Sequence, residues 1–310
     1  MDGVAEHTRL RVQQAIVDLG YRYNALARSL KKQQSSLIGH IVPSIAGPVS
    51  PVLARAVEEE AQKSGYNVIL CNSFERVEKE RANVNVLLER RVEGMIFSAP
   101  MLPESVSTVR TKGVPVVIIE RRSELSGFYY VDPDNLKGAY EAVKYLIDLG
   151  HKRIAMIVGL PSAIISKLRT EGYERALSDA GLSASADLMA DGNYTRASGY
   201  EAMERFLALD PRPTAVFAGN DAMAIGAMQA AYHAGLQIPR DISVVGFDDT
   251  HADLTIPQLT SVHQPLNEIG TLATKILIAQ INGTASEYPF ENVLPCYLKE
   301  RESCGPVPPD

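Results

Sequence analysis

The 310-residue sequence has no apolar run near the roughly 20 residues that a membrane-spanning helix needs, and no charged start followed by an apolar stretch of the secretion type. A cytoplasmic location and no membrane contact are the expectation. Its three cysteines, Cys71, Cys296 and Cys304, show no metal-ligand spacing, and an odd number does not make a disulfide framework. Cys71 and Cys296 read as strand residues and Cys304 as a tail residue. Also absent are a Gly-rich phosphate loop ahead of a helix, a G-x-S-x-G elbow and any His/Cys cluster, so no catalytic residue, metal or cofactor is expected. His151 in "GHKR" follows a helix C-terminus, where a cation is simply favourable.

What is there is a chain long enough for one large α/β unit or two lobes, with 45% apolar residues to fill the cores. The formal charge of −6 is uneven. Residues 1–32 carry six basic and three acidic side chains, a balance of +3, which leaves −9 on the rest. A basic arm on an acidic body suggests that only the arm approaches a polyanion, and a solvated helix face accounts for the same charges.

From Leu37 onward short β-rich runs alternate with helical stretches: "LIGHIVP" (37–43), "NVILCN" (67–72), "GMIFSAP" (94–100) and "PVVIIER" (115–121). Near-continuous Val/Ile content in strands of this length implies burial on both faces and hence a parallel sheet flanked by helices. The pattern pauses at "GFYYVDPDN" (127–135). It restarts with a helix from about Asn135 to Gly150, then strands "RIAMIVG" (153–159), "AVFAGN" (215–220) and "DISVVGFD" (241–248), with "GYERALSDAG" and "NDAMAIGAMQAAYHAG" as helices between them. Gly65, Gly150, Gly181 and Gly235 each follow a helical pattern as left-handed C′ residues would. The fold class is therefore α/β, with two doubly wound lobes, and ligands in such sheets sit outside the carboxyl ends of the strands, here in the cleft between lobes.

At this point "TRLRVQQAIVDLGYRYNALARSL", "LIGHIVPSI", "RRVEGMIF", "DNLKGAYEAVKYLIDLGHKRIAMIVG", "RTEGYERAL", "NDAMAIGAM" and "DISVVGFDD" together resemble the lactose and galactose repressor family of bacterial transcription regulators, in the family's order from about Glu6 to Glu302. The resemblance implies two parallel-sheet lobes of the periplasmic-binding-protein-like type I class joined by crossover strands. It implies a headpiece remnant at 1–36, an N-terminal lobe from 37–131 plus 265–292, a C-terminal lobe from 132–264 plus 293–303, and a tail at 304–310.

In that family a helix-turn-helix comes first, then a third helix, a hinge helix and the core. "AEHTRLRVQQAIVDLGY" (5–21) is similar to the third helix, with Val12, Ile16 and Leu19 as its apolar stripe, and "NALARSL" (24–30) to the hinge helix. The first and recognition helices have no counterpart in the sequence. The stripe then lacks partners, so residues 1–32 are expected to be poorly ordered. The hinge begins at Asn24. Leu30 matches the leucine that wedges between base steps of the minor groove, and Ala27 lies one turn before it, where paired hinge helices approach each other; Leu30 as the cap of a flexible linker is the plain alternative. DNA binding through the hinge alone should be weak, and a homodimer is implied.

Carried over residue by residue, the family's ligand set falls on Arg169, whose planar fork of donors suits vicinal hydroxyls or a carboxylate. It also falls on Asp248, which would accept from hydroxyl or amine groups, and on Asn220, which also suits the N-cap of the following helix. Tyr194 matches an aromatic that packs on a sugar face or base, or is a surface tyrosine in a turn. Ser98 and Glu120 end first-lobe strands, and Glu120 has Arg121 and Arg122 as alternative partners. Val49 and Ser50 stand where relatives carry aromatic rings, and Ile165 stands where several carry a hydroxyl. A polyhydroxy compound, sugar-like or a sugar acid, suits such a cleft better than a purine. The reading is a ligand-responsive transcription regulator rather than an enzyme; a solute-binding protein of the transport type shares the fold but would need export and has no use for a DNA hinge.

Overall fold

The computed structural model of the chain describes residues 5–19, 35–120 and 127–307. It opens on helix α1 (Glu6–Asp18), which falls within the expected third helix. Within the segment expected to lack order, residues 6–18 form a helix whose apolar stripe is uncovered, with Val12 and Leu19 54% and 81% exposed. The hinge residues Asn24, Ala27 and Leu30 lie outside the described residues.

The first lobe follows as β1 (Leu37–Val42), α2 (Val49–Lys63), β2 (Asn67–Asn72), α3 (Val77–Glu89), β3 (Gly94–Ser98), α4 (Pro103–Thr111), β4 (Val116–Ile119) and β5 (Tyr129–Pro133). The chain then builds the second lobe from α5 (Asn135–Asp148), β6 (Ile154–Val158), α6 (Ile164–Asp179), β7 (Met189–Asp191), α7 (Arg196–Leu207), β8 (Ala215–Ala218), α8 (Asp221–His233), β9 (Ser243–Asp248) and β10 (Thr260–His263). It returns to the first lobe with α9 (Leu266–Ile281) and β11 (Glu291–Leu294), and crosses once more into β12 (Tyr297–Lys299).

The two sheets run β11-β5-β4-β3-β1-β2 and β12-β10-β9-β8-β6-β7. The first is parallel throughout; in the second, β12 pairs antiparallel with β10, so this sheet is not wholly parallel as expected. The segment read as a pause, 127–135, holds strand β5. Its polar residue Asp132 and its Pro133 are buried.

Alternation within each strand feeds two apolar layers per lobe. In β3, Ile96 joins Val57, Val117 and Ile276 under α2 and α9, while Met95 and Phe97 join Leu87 and Val106 under α3 and α4. In β6, Ile157 faces Met203, Phe206 and Met223, and Met156 faces Val143, Tyr173 and Phe217. Gly65, Gly150, Gly181 and Gly235 take φ between +72° and +94°, the left-handed caps the sequence suggested.

The chain passes between lobes after β5, after β10 and after β11. Cys296 lies in the third passage, buried, rather than in a strand. Of the segment expected as a tail, residues 304–307 are packed: the Val307 amide donates to the Leu149 carbonyl at 3.1 Å, and Cys304 Sγ donates to the Val244 carbonyl. β12 is pinned by Asp249, whose carboxylate takes Arg301, His263 Nδ1 at 2.9 Å and Lys299 Nζ at 3.1 Å. Burial alone would raise this carboxyl, but those three hydrogen bonds hold it below the usual range.

Candidate functional site

The carboxyl ends of the central strands gather the polar groups. β9 ends at Asp248, where two consecutive non-glycine residues, Asp248 (φ +111°) and Asp249 (φ +54°), take strained backbone conformations. β4 gives way to Glu120, also left-handed at φ +63°. β8 runs into Gly219 and Asn220, β6 into Gly159, and β3 ends at Ser98.

Arg169 comes from the buried face of α6. The helix can deliver it because Gly172 lets α6 lie against α5: a Cβ at 172 would stand 2.4 Å from the Leu136 carbonyl oxygen. The guanidinium is buried, with Nε and Nη1 bonded and one face stacked. Its Nε donates to Asn135 Oδ1 at 2.8 Å, Nη1 donates to the Gly219 carbonyl and lies 3.6 Å from Asp248 Oδ1, and its plane stacks 3.7 Å from the centre of the Phe247 ring.

Asp248 is buried and accepts a 2.6 Å hydrogen bond from Gln264 Nε2. Burial pushes its carboxyl up to about 7, with Arg169 opposing and Glu120 adding to the rise. Behind it Asp221, at the start of α8, accepts from Ser261 Oγ at 2.5 Å and from the Thr250 amide at 2.9 Å. Burial, and then the Asp248 charge, push it up to about 7. Glu120, arriving from the other lobe, is pushed up to about 6 by burial, against Arg169 and with Asp132. Charges from both lobes thus meet at one point.

Tyr194 (φ +64°) lays its ring against Gly159, where a Cβ would sit 2.2 Å from the ring, and its hydroxyl shares a 2.5 Å hydrogen bond with Ser166 Oγ on α6. Asn220 caps α8, accepting from the Met223 amide at 2.9 Å, and donates to the Tyr194 carbonyl at 3.3 Å. Of its two readings, these bonds show the N-cap, and the amide also fixes the Tyr194 turn.

The structure brings Arg169, Asp248, Glu120, Tyr194 and Asn220 together. Among the described residues the other candidates make no hydrogen bond to that cluster, although Ser98 pairs across the sheet with Ile119, next to Glu120. Ser98 is buried and bonded to His40 Nε2 at 2.9 Å. Val49 packs on the first-lobe core and Ser50 is buried in the first turn of α2. Ile165 is half-buried near the start of α6. Asn135, Gln264, Asp221 and His40 escaped the sequence reading. The first two follow the crossings after β5 and β10, and that position was the available signal.

A second concavity of about 700 Å³ lies on the outside of α5 and α6, where Lys137 and Arg175 face Asp134, Glu141 and Asp179. Its charged side chains are mostly exposed, and Asn135 walls it off from Arg169. Among the described residues no group of three or more His, Cys, Asp or Glu is arranged to hold a metal ion, and no helix is long and apolar enough to cross a membrane.

Residues 143–304 match a periplasmic binding protein-like domain. The chain is 38% identical over 282 residues to the catabolite control protein A of Priestia megaterium, which covers 90% of this chain and 85% of that protein. It is 37% identical over 281 residues to the ribose operon repressor of Escherichia coli strain K12, with the same 90% and 85% covered. Among solved structures it is similar to the lac repressor dimer bound to operator and the anti-inducer ONPF, with a TM-score of 0.88 and 30% identity over 97% of this chain and 91% of that one.

Proposed function

The chain belongs to the LacI family of ligand-responsive transcriptional regulators, and on that premise we propose that its lobes close on a small polyhydroxylated effector held by Arg169, Asp248, Glu120 and Tyr194. The observation that carries this is the convergence of buried donors and acceptors from both lobes at the strand ends, with Glu120 close enough to Asp248 for its charge to act there. Such a site binds the closed arrangement better than the open one, and that difference is what lets a ligand shift the equilibrium. One relative's name refers to ribose, which fits a sugar-like effector. DNA contact is assigned to the hinge, with Asn24, Ala27 and Leu30, and the working form to a homodimer in which lobe closure changes the spacing of the two hinges.

Calorimetry with sugars, sugar derivatives and nucleobases tests the reading. A carbohydrate should bind, and Asp248→Ala should weaken it roughly 10- to 150-fold, the cost of removing a hydrogen-bonded charge from an enclosed site. Preference for a free nucleobase, or affinity indifferent to Asp248→Ala, refutes the assignment.

A further inference from the structure

The amino ends of the first-lobe strands form one continuous foot, opposite the cleft. Strands β4, β3, β1 and β2 are neighbours in that order. At their starts the Met95 amide donates to the Pro115 carbonyl at 2.9 Å, the Glu93 amide to the Leu37 carbonyl at 2.8 Å, and the Asn67 amide to the Ser36 carbonyl at 2.9 Å. The turns leading into β3 and β4 expose Arg90, Arg91 and Lys112, whose side chains make no ion pair or hydrogen bond among the described residues. The acids beside them are mostly occupied. Glu60 takes Lys63 Nζ at 2.8 Å, and Glu93 takes the Ser36 amide at 2.7 Å and the Tyr66 hydroxyl at 3.3 Å, which leaves Glu89.

Arg91 is a poor choice for folding alone. It closes α3 in the left-handed conformation (φ +54°) that Gly65 and Gly113 adopt at the same point after α2 and α4 (φ +81° and +75°). A side chain is strained there and glycine is not. The N-terminal arm is fastened to this same turn, because Ser35 Oγ donates to the Arg91 carbonyl at 2.7 Å. Leu30 precedes Ser35 by five residues. At no more than about 3.6 Å per residue, the proposed hinge therefore lies within roughly 20 Å of the turn, whatever path the chain takes.

We propose that the foot of the first lobe is a second DNA-contact surface, on which Arg90, Arg91 and Lys112 bind backbone phosphates beside the groove that the hinge enters. This rests on the hinge reading above and adds a surface to it. Duplex DNA carries one negative charge about every 1.7 Å of its axis, so phosphates flank any hinge site at the distance the chain allows. Contacts to phosphate fix position and register and read no sequence. Exposed, unpaired side chains on short turns suit that task, and the strained Arg91 places a guanidinium where the arm leaves the lobe.

The test is the salt dependence of binding by the full chain to a labelled duplex of about 30 base pairs, between roughly 20 and 150 mM salt. Replacing Arg90, Arg91 and Lys112 together by Gln should lower the slope of log K against log salt by about 2 to 3, near 0.9 for each lost phosphate contact. Binding at about 50 mM salt should weaken at least 10-fold. Lys152, Arg212 and Arg240, exposed at the amino ends of the second-lobe strands, supply the control. Their replacement by Gln removes the same charge and should move the slope by less than about 0.5. Arg91→Gly separates contact from folding: it should unfold in urea no earlier than the parent, yet lose about one unit of slope. A triple foot variant that keeps the parent slope, equal losses in both triples, or an Arg91→Gly variant of unchanged slope overturns the proposal and leaves the hinge reading standing. A parent chain that binds no duplex at about 20 mM salt overturns both.

Discussion

A single imidazole sets one limit on the stability of the first lobe. "LIGHIVP" reads as an apolar strand, yet His40 at its centre is fully buried, with Nε2 on Ser98 Oγ and Nδ1 without a hydrogen-bond partner. Burial holds it down at about 4, against 6.5 when exposed. Between those values the unfolded chain binds the extra proton, so this contribution to stability is present above pH 6.5 and is lost as pH falls towards 4. Glu120, Asp221 and Asp248 act in the opposite sense, since their raised values favour the folded state at low pH and the benefit disappears as pH rises through 6 to 7. A His40→Leu variant separates the two. Relative to the parent protein it should gain about 2 kcal/mol on going from pH 8 to pH 5, one and a half pH units of proton linkage. Urea unfolding at both pH values measures this, and a pH-independent difference between the two proteins contradicts it. The example also shows where sequence reading stops. Arg169 and Asp248, implied by resemblance, are brought together, whereas His40, Asn135 and Gln264 gain their meaning from burial and from partners 58, 34 and 16 positions away.

At the scale of elements, the legible parts were those with a long apolar period. β2 (Asn67–Asn72) coincides with its sequence run, and β1, β3, β4, β6, β8 and β9 lie inside theirs. β7 and β12 are three residues each, too short for any period to show, and β5 was hidden by buried polar residues. α6 was placed from Gly172 but begins at Ile164. Its early turns, which carry Arg169 and the Ser166 partner of Tyr194, are the part that matters for the site. Gly172 sits within the helix, where Gly→Ala normally stabilises by up to about 1 kcal/mol. Here the added methyl meets the Leu136 carbonyl at 2.4 Å and Ala139 Cβ at 2.8 Å, so α6 must move off α5. Gly172→Ala should therefore destabilise by about 1–3 kcal/mol and also weaken effector binding, because Arg169 shifts with its helix. Paired unfolding and calorimetry check both; a stabilised variant with unchanged affinity would show that the α5–α6 contact does not set the site.

The whole molecule leaves large apolar side chains in water. Ile256 is 98% exposed, Leu254 74% and Tyr232 76% on the second lobe, and on the first lobe Phe74 is 63% and Leu70 42% exposed, the latter on edge strand β2. A pair of bare residues beside a short 3₁₀ turn, Ala252–Leu254, has no packing function within its own chain. Of these, Leu254 and Ile256 are near neighbours in sequence, and an exposed apolar pair of this kind suits a contact surface; a solved structure similar to this chain is a dimer. A homodimer that closes over Leu254 and Ile256 would bury each of them twice, once from each chain. Fully burying an isoleucine is worth about 1.5–3 kcal/mol, so two copies account for a substantial part of an association in the micromolar range or tighter. Ile256→Asp removes that contribution and places two carboxylates at the interface. Its dissociation constant should rise at least about 100-fold, giving monomers in sedimentation at ten micromolar, where the parent protein is a dimer. Because the residue touches little of its own chain and the cleft is built within one chain, the variant should unfold at the parent temperature, once both are compared as monomers, and still bind effector. A parent protein that sediments as a monomer at tens of micromolar, or an Ile256→Asp variant that stays dimeric, would remove these surfaces from the interface.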